Sequence, residues 1–342
     1  MDAQNPLLSH QYEVAIKFAD IFDKVTVITG TSSHGELPPN VCVKNLNWEA
    51  GHDTRNALRL LGVAIPILIQ RRRDLVVFCH MTDVQSAILG PITRALKIKH
   101  YLWYAHKYPS KFLLTASKFV DGIVTSTEGS CPIKSESVFC IGQGINLDNF
   151  QATIEKQEFR IQNLVHVGRF DSSKNISLLM GVARDLRASH PDLTFTQIGS
   201  PSTLVAEEYF QKTKLTFKAD LDDGWLQVRG SIKRNDLPSE LGNFDVFLHA
   251  YAGSLDKTLI EATLSGLPVV TINEEYLKEF GRWNKVGDFS LRSEILFLDS
   301  ITLEELNVEL SRRFQIAQKR HSLDGWIGSL GSIFLSEMKD RR

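Results

Sequence analysis

The sequence predicts an α/β protein of two doubly wound parallel sheets. Three observations carry that expectation. Short β-branched runs alternate with longer stretches of helical period. The alternation stops in a polar, aperiodic stretch at 146–162 and then restarts. The length, 342 residues, suits about two domains at roughly 150 residues each. Alternation of this kind builds βαβ units, whose strands lie parallel.

The elements follow in chain order. A turn-like segment, Asp2–Asn5, and a helix over about Ser9–Ile21 come first. A doubly wound domain ordinarily opens on a strand, so the first strand of this one is missing from the order. Strands are expected at Val25–Thr29, Leu75–Cys79, Ile98–Trp103, Gly122–Ser126 and Val138–Ile141. Helices are expected at Asp53–Gln70, Gln85–Leu96 and Lys111–Phe119. After the polar stretch, strands return at Leu164–Val167, Leu193–Ile198, Leu226–Arg229, Val246–Ala250 and Val269–Ile272. Helices lie between and beyond them, at Asn175–His190, Ala206–Leu215, Asn235–Leu241, Lys257–Ser265 and Leu303–His321. The expected domains are 1–150 and 151–321, two Rossmann-like halves facing across a cleft. In such sheets ligands bind beyond the carboxyl ends of the strands.

Composition closes several functional classes. The 43% hydrophobic and 23% charged residues are those of an ordinary globular protein. The four cysteines form no CxxC pair, so neither a disulfide framework nor a cysteine-based zinc site is expected, and a cytoplasmic setting fits. A net charge of −1 argues against nucleic acid as a partner. The longest apolar run, Leu60–Ile69, is short of the roughly 18 residues a spanning helix needs and contains Pro66. The N-terminus lacks the basic and apolar regions of a signal peptide.

The near-zero total hides an asymmetry: residues 1–150 carry +2 and the remainder −3. From Pro91 to Val120 the chain holds Arg94, Lys97, Lys99, Lys107, Lys111 and Lys118 and no acid. Tyr101, Trp103, Tyr104, Tyr108 and Phe112 are interleaved with them, and Arg71, Arg72 and Arg73 lie upstream. Two readings stand, a solvated face or a surface that meets phosphates or anionic lipid.

Two segments carry chemistry. In LVHVGRFDSSK (Leu164–Lys174) an apolar strand ends at Gly168, followed by Arg169 and a polar loop with Lys174 at a helix mouth. Glycine lets a ligand approach the backbone, arginine grips phosphate through two donors, and lysine adds a point charge. With the free N–H groups of the helix start, two readings stand, a diphosphate clamp or a generic strand–loop–helix turn with two surface cations. In VFLHAYAGSLDKTLIEATLSGLPVV (Val246–Val270) a strand runs into a small-residue loop containing Gly253 and Ser254. Backbone amides there are able to meet an anion, with Lys257 and Thr258 as further donors; Glu261 is either an acceptor for sugar hydroxyls or a solvated helix residue. Glu261 sits among Leu259, Ile260, Ala262 and Leu264, where a lone carboxylate needs a partner.

Four strings then resemble family 4 glycosyltransferases. They are GRFDSSKNISLLMGVARDLRASHPDLTFTQIGS, DKTLIEATLSGLPVV, YLWYAHK and VFCIGQGINLDNF, and the resemblance spans nearly the whole chain. It implies the GT-B fold, with an acceptor-binding half (1–150) and a donor-binding half (151–321). It also implies a C-terminal helix (322–342) that crosses back to the first. The implied activity is retaining transfer of a sugar from a nucleotide-sugar, a substrate rather than a cofactor, without a metal. By the same resemblance, Arg169 and Lys174 meet the donor diphosphate, Glu261 the ribose and the Gly230–Ser231–Ile232 backbone the nucleobase. His106 resembles the histidine near the transferred sugar. His80, which ends a strand and is either structural or cleft-facing, and Lys107 are acceptor-side candidates.

The chain departs from the family pattern at Gly253, where a first glutamate eight positions before Glu261 is usual. Backbone amides of Gly253–Leu255, with Asp256 or Lys257, are the expected substitutes. The expected acceptor is a glycan or lipid-linked precursor, and the basic segment suggests a peripheral contact with an anionic inner membrane face. The alternatives are a non-catalytic nucleotide-sugar-binding partner and a nucleotide-sugar epimerase. Asp220-Leu-Asp222 spells the DxD of metal-dependent glycosyltransferases but lacks the apolar strand before it, and a surface turn is expected. His249 reads as a satisfied interior histidine.

Overall fold

The computed structural model describes residues 9–32, 35–71, 74–150 and 155–339. These form two compact units. The first joins the chain up to Gly144 with the segment from Leu323, and the second runs from Ile145 to Ser322. The division falls just ahead of the polar stretch. Ile145 donates its N–H to the His321 carbonyl at 2.7 Å, within unit two. The segments Asp2–Asn5 and Arg72–Arg73 lie outside the described residues.

Unit one opens on α1 (Ser9–Ala19). It contains β1 (Val25–Thr29), β2 (Val41–Asn45), α2 (Asp53–Arg71), β3 (Val76–His80), α3 (Asp83–Ala95) and β4 (Lys99–Trp103). It continues through α4 (Lys111–Ala116), β5 (Gly122–Thr125) and β6 (Val138–Cys140). The single sheet expected for this half is two sheets. β1 and β2 form a parallel pair, and β3-β4-β5-β6 form a separate four-stranded parallel sheet. Among the described residues no strand lies between β1 and β3 to bond both. β2 was not legible because VCVKN offers only three apolar residues, none fully buried. The last helix of the chain, Leu323–Lys339, packs into this unit. Its Trp326, Leu330 and Phe334 join Val14, Phe18, Tyr101 and Trp103 in one buried cluster.

Unit two is a five-stranded parallel sheet. Its strands are β7 (Asn163–Val167), β8 (Thr194–Ile198), β9 (Leu226–Arg229), β10 (Val246–His249) and β11 (Val269–Thr271). The order is β11-β10-β7-β8-β9. Both faces are covered, as the apolar runs require. Leu164, Leu248 and Val270 enter one core cluster, and Val165, Phe247 and Val269 enter the other. The first cluster is roofed by α5 (Ile176–Leu186) and by α11 (Leu291–Ser300), with part of α12 (Leu303–His321). The second is roofed by α8 (Leu237–Leu241), α9 (Lys257–Leu264) and α10 (Glu274–Phe280). The remaining helices are α6 (Leu204–Thr216) and α7 (Lys218–Asp222), and the C-terminal helix in unit one is α13. Helices α7, α10 and α11 were absent from the expectation; α7 and α10 have only five and seven residues, too short for a clear helical period.

No described helix is long and apolar enough to cross a membrane. All four cysteines are free.

Candidate functional site

The loops after β7, β8, β9 and β10 of unit two are tied into a ring at the carboxyl ends of the strands. The Phe170 N–H donates to the Ser200 carbonyl at 3.1 Å, joining the β7 and β8 loops. The Ser231 N–H reaches the Ser200 hydroxyl at 3.3 Å, joining β8 to β9. Arg234, three residues on, pairs with Glu261 of α9. The ring closes where Lys174, after β7, pairs with Asp256 at the start of α9.

Local chemistry sets each loop. Gly168 accepts from the Gln197 side chain at 2.9 Å and donates to the Ile198 carbonyl at 3.0 Å. Opposite it, Gly199 holds φ at +132°, and a Cβ there would overlap the Gly168 carbonyl. The Asp171 side chain accepts from the Ser173 N–H at 2.9 Å and caps a short 3-10 turn, Ser172–Lys174. Asn175 then takes a left-handed conformation at φ +52°, tolerable for asparagine. Its amide donates to the Ala250 carbonyl at 2.9 Å and holds this loop against the one after β10.

Lys174 is the centre of the arrangement. It is buried, its ammonium lies 4.0 Å from the centre of the Tyr251 ring, and it is paired with Asp256. His249 stands behind, with Nδ1 at 2.9 Å from the Thr271 hydroxyl and Nε2 at 3.5 Å from Asp256. Burial opposes the charge of Asp256, but Lys174 and His249 overcome it and hold the carboxyl well below its usual range. Burial lowers His249, with Asp256 pulling the other way. Burial lowers the neighbouring His166 to about 3, helped by His249. His249 is the satisfied interior histidine that the sequence suggested.

The loop from Tyr251 to Asp256 is fastened from below. The buried Asn273 amide lies within hydrogen-bond distance of the carbonyls of Tyr251, Gly253 and Ser254, at 3.0, 3.3 and 3.1 Å. Gly253 and Ser254 are buried. Lys257 and Thr258 open α9 and are half-buried, and the Thr258 hydroxyl is shielded from solvent with no hydrogen bond. Glu261, 2% exposed, has the partner its apolar surroundings demand in Arg234.

The expected residues Gly168, Lys174, Ser231, Gly253, Ser254, Asp256, Lys257, Thr258 and Glu261 thus share this set of loops. Arg169 is exposed on the β7 loop and makes no ion pair among the described residues, while its charge helps to lower Asp171 after the Ser173 hydrogen bonds. His80, His106 and Lys107 lie in unit one. His80 ends β3 among the rings of His10, Phe78, Trp103 and Trp326. His106 is exposed, edge-on to Tyr104 at 5.4 Å, and Lys107 is half-buried beside it. Sequence reasoning missed Arg234, Asn273, Asn175 and Tyr251. Arg234 had a signal, the cationic pair Lys233–Arg234 directly after Gly230–Ser231–Ile232. Asn273 had only the form of a helix cap before Glu274.

Asp220 and Asp222 of the DxD string lie in α7 rather than in a bare turn, paired with Arg184 and Lys218. Among the described residues no group of three or more His, Cys, Asp or Glu is placed to hold a metal ion.

Two Rossmann-like units of parallel strands are the parts of the GT-B fold, and the solved structures similar to this chain share it. Residues 161–287 match the family model described as Glycosyl transferases group 1. No curated protein matches the chain in sequence. Among solved structures, the chain is similar to HepE of Anabaena in complex with UDP and glucose. The identity is 13%, with a TM-score of 0.70 over 98% of both chains. It is also similar to a glycosyltransferase of Rickettsia africae, at 11% identity and a TM-score of 0.71 over 100% of this chain and 98% of that one. The pneumococcal O-GlcNAc transferase GtfA, in complex with UDP and GlcNAc, matches at 15% identity and a TM-score of 0.53. That match covers 74% of this chain, which spans only 54% of GtfA.

Proposed function

We propose that the chain is a retaining glycosyltransferase that moves a sugar from a nucleotide-sugar to a glycan or lipid-linked acceptor. The observation that carries this reading is the closed ring of loops in unit two, with Arg169, Lys174 and the start of α9 gathered on it. Nucleotide and sugar complexes of the similar HepE and GtfA structures support it.

In the reaction proposed, the acceptor oxygen bonds to the anomeric carbon as the bond to the β-phosphate breaks. The leaving phosphate takes the acceptor's proton on the same face, so no strong protein base is needed. Charge grows on the nucleoside diphosphate. Arg169, Lys174 and the first N–H groups of α9 meet it, which supports a reading without a metal. Asp256 fixes the Lys174 ammonium and leaves its other protons for phosphate oxygens. Glu261, oriented by Arg234, receives the ribose hydroxyls. His106 positions and polarises the acceptor.

We place the protein in the cytoplasm, with unit one meeting an anionic membrane. In support, Arg94, Lys97, Lys111 and Lys118 are exposed, with Tyr108 and Leu114 exposed beside them in sequence. Lys99 takes no part, because it pairs with Asp121 at 3.1 Å. Preferential sedimentation with anionic over neutral vesicles is expected, and equal partition would refute this part.

The test of the main reading is transfer from a panel of nucleotide-sugars, with Arg169→Ala and Lys174→Ala as controls. Each variant is expected to weaken nucleoside-diphosphate binding and abolish transfer; unchanged turnover in both would remove the assignment. Gly253, which offers no carboxylate to the sugar, favours the second reading, a non-catalytic binder. Full affinity without turnover on any acceptor would identify that case.

A further inference from the structure

Tyr251 has no role in the account above, yet the loop is built around it. Gly253 is buried, and a Cβ at that position would overlap the Tyr251 ring and hydroxyl. The conflict is spatial, because Gly253 does not need a left-handed backbone. A side chain at residue 253 therefore requires the Tyr251 ring to move from this position. The loop cannot swing away to relieve the conflict, since the Asn273 amide holds the carbonyls on both sides of it.

The same ring lies over the Lys174 ammonium at 4.0 Å and edge-on to His249 at 6.3 Å between centres. Tyr251 is half-buried, so part of it faces solvent above the loop. Its hydroxyl forms no hydrogen bond among the described residues. An aromatic face, a free phenol and an ammonium thus stand together at the mouth of α9. That grouping suits a polyhydroxylated ring joined to an anion, with the ring against the aromatic and the anion against the cation.

We propose that Tyr251 reads the sugar of the donor, its hydroxyl bonding to a sugar hydroxyl while Lys174 holds the adjoining phosphate. The inference rests on the reading of unit two as a donor site. Gly253 then has a definite purpose, which is to leave the volume that Tyr251 fills.

The test separates sugar reading from mere support of Lys174. Affinities of the wild type, Tyr251→Phe and Tyr251→Ala are measured by calorimetry. The ligands are UDP, GDP and ADP and the corresponding glucosyl and mannosyl nucleotides. Tyr251→Phe keeps the ring over Lys174 and removes only the hydroxyl. It is expected to leave nucleoside-diphosphate affinity within twofold and to weaken the nucleotide-sugar about five- to tenfold, the loss of one hydrogen bond. An equal loss for both ligands, or no loss for either, would overturn the inference while leaving the donor site standing. A wild type that binds none of these ligands would overturn both. Gly253→Ala is expected to displace the Tyr251 ring and so to weaken the nucleotide-sugar as Tyr251→Ala does. Unchanged nucleotide-sugar affinity in Gly253→Ala would refute the coupling of the two positions.

Discussion

VTVIT in β1 and VFLH in β10 look alike as sequence, yet they meet different fates. All four residues of β10 are buried, whereas all five of β1 are only half-buried. The difference lies in the neighbours. β10 pairs with β11 and β7 and has helices over both faces, whereas among the described residues β1 pairs with β2 alone. A β-branched run states an ability to pack, and the surrounding elements decide how much packing it receives. The candidate donor loops stand on the fully covered sheet, which gives them a rigid base.

The largest expected effect tests that contrast directly. Phe247→Ala should destabilise unit two by about 3–5 kcal/mol, because the site cannot collapse fully around the cavity. Ile28→Ala in half-buried β1 should cost unit one about 1 kcal/mol. Hydrogen exchange resolved by unit is the right probe, since a two-unit chain need not unfold in one step. Equal losses would break the comparison.

Two ion pairs sharpen it further. Asp256→Ala leaves a buried ammonium without its partner and should cost about 2–3 kcal/mol, reduced because Asp256 retains some exposure. Lys17→Ala removes the pair between half-buried Lys17 of α1 and exposed Asp324, 2.7 Å apart, and should cost under about 1 kcal/mol. Denaturant midpoints would rank the two, and a reversed order would contradict the burial argument.

Acid should separate the units as well. Burial lowers His166 in unit two to about 3 and His100 in unit one to about 4, with Asp121 partly opposing the latter. Below the ordinary histidine value of 6.5 the unfolded chain takes up protons that the folded chain refuses. Stability therefore falls with pH from about 6.5 down to those values, by at most about 1.4 kcal/mol per histidine per pH unit. Unit two also holds His249, lowered in the same direction, so it should lose more between pH 6.5 and 4. A steeper loss in unit one would refute this. The smallest expected effect is that of Arg169→Ala, exposed and without an ion pair among the described residues, which should alter stability by less than about 0.5 kcal/mol. A larger change would show Arg169 to be structural.

Much of this arrangement was legible in the residues. The strand–Gly168–Arg169 run and the Lys257–Leu264 helix are local signals, and the fold keeps them local. Pairings between distant segments were not legible. Lys174 meets Asp256 across 82 positions of chain, and Glu261 meets Arg234 across 27; no spacing rule relates such partners. Tyr251 and Gly253 are two positions apart, yet only the built backbone shows that one fills the other's side-chain volume. In unit one, His80 was chosen by its place at the end of a strand and His106 by the resemblance; the structure sets His80 among aromatic rings, His106 exposed and Lys107 half-buried.

The central claim is that unit two, through its ring of loops, holds the nucleotide-sugar. Hydrogen exchange of the intact chain, with and without a saturating nucleoside diphosphate, tests it most directly. Protection is expected in residues 168–175, 230–234 and 253–261. Protection absent from all three segments, or confined to unit one, would contradict the account.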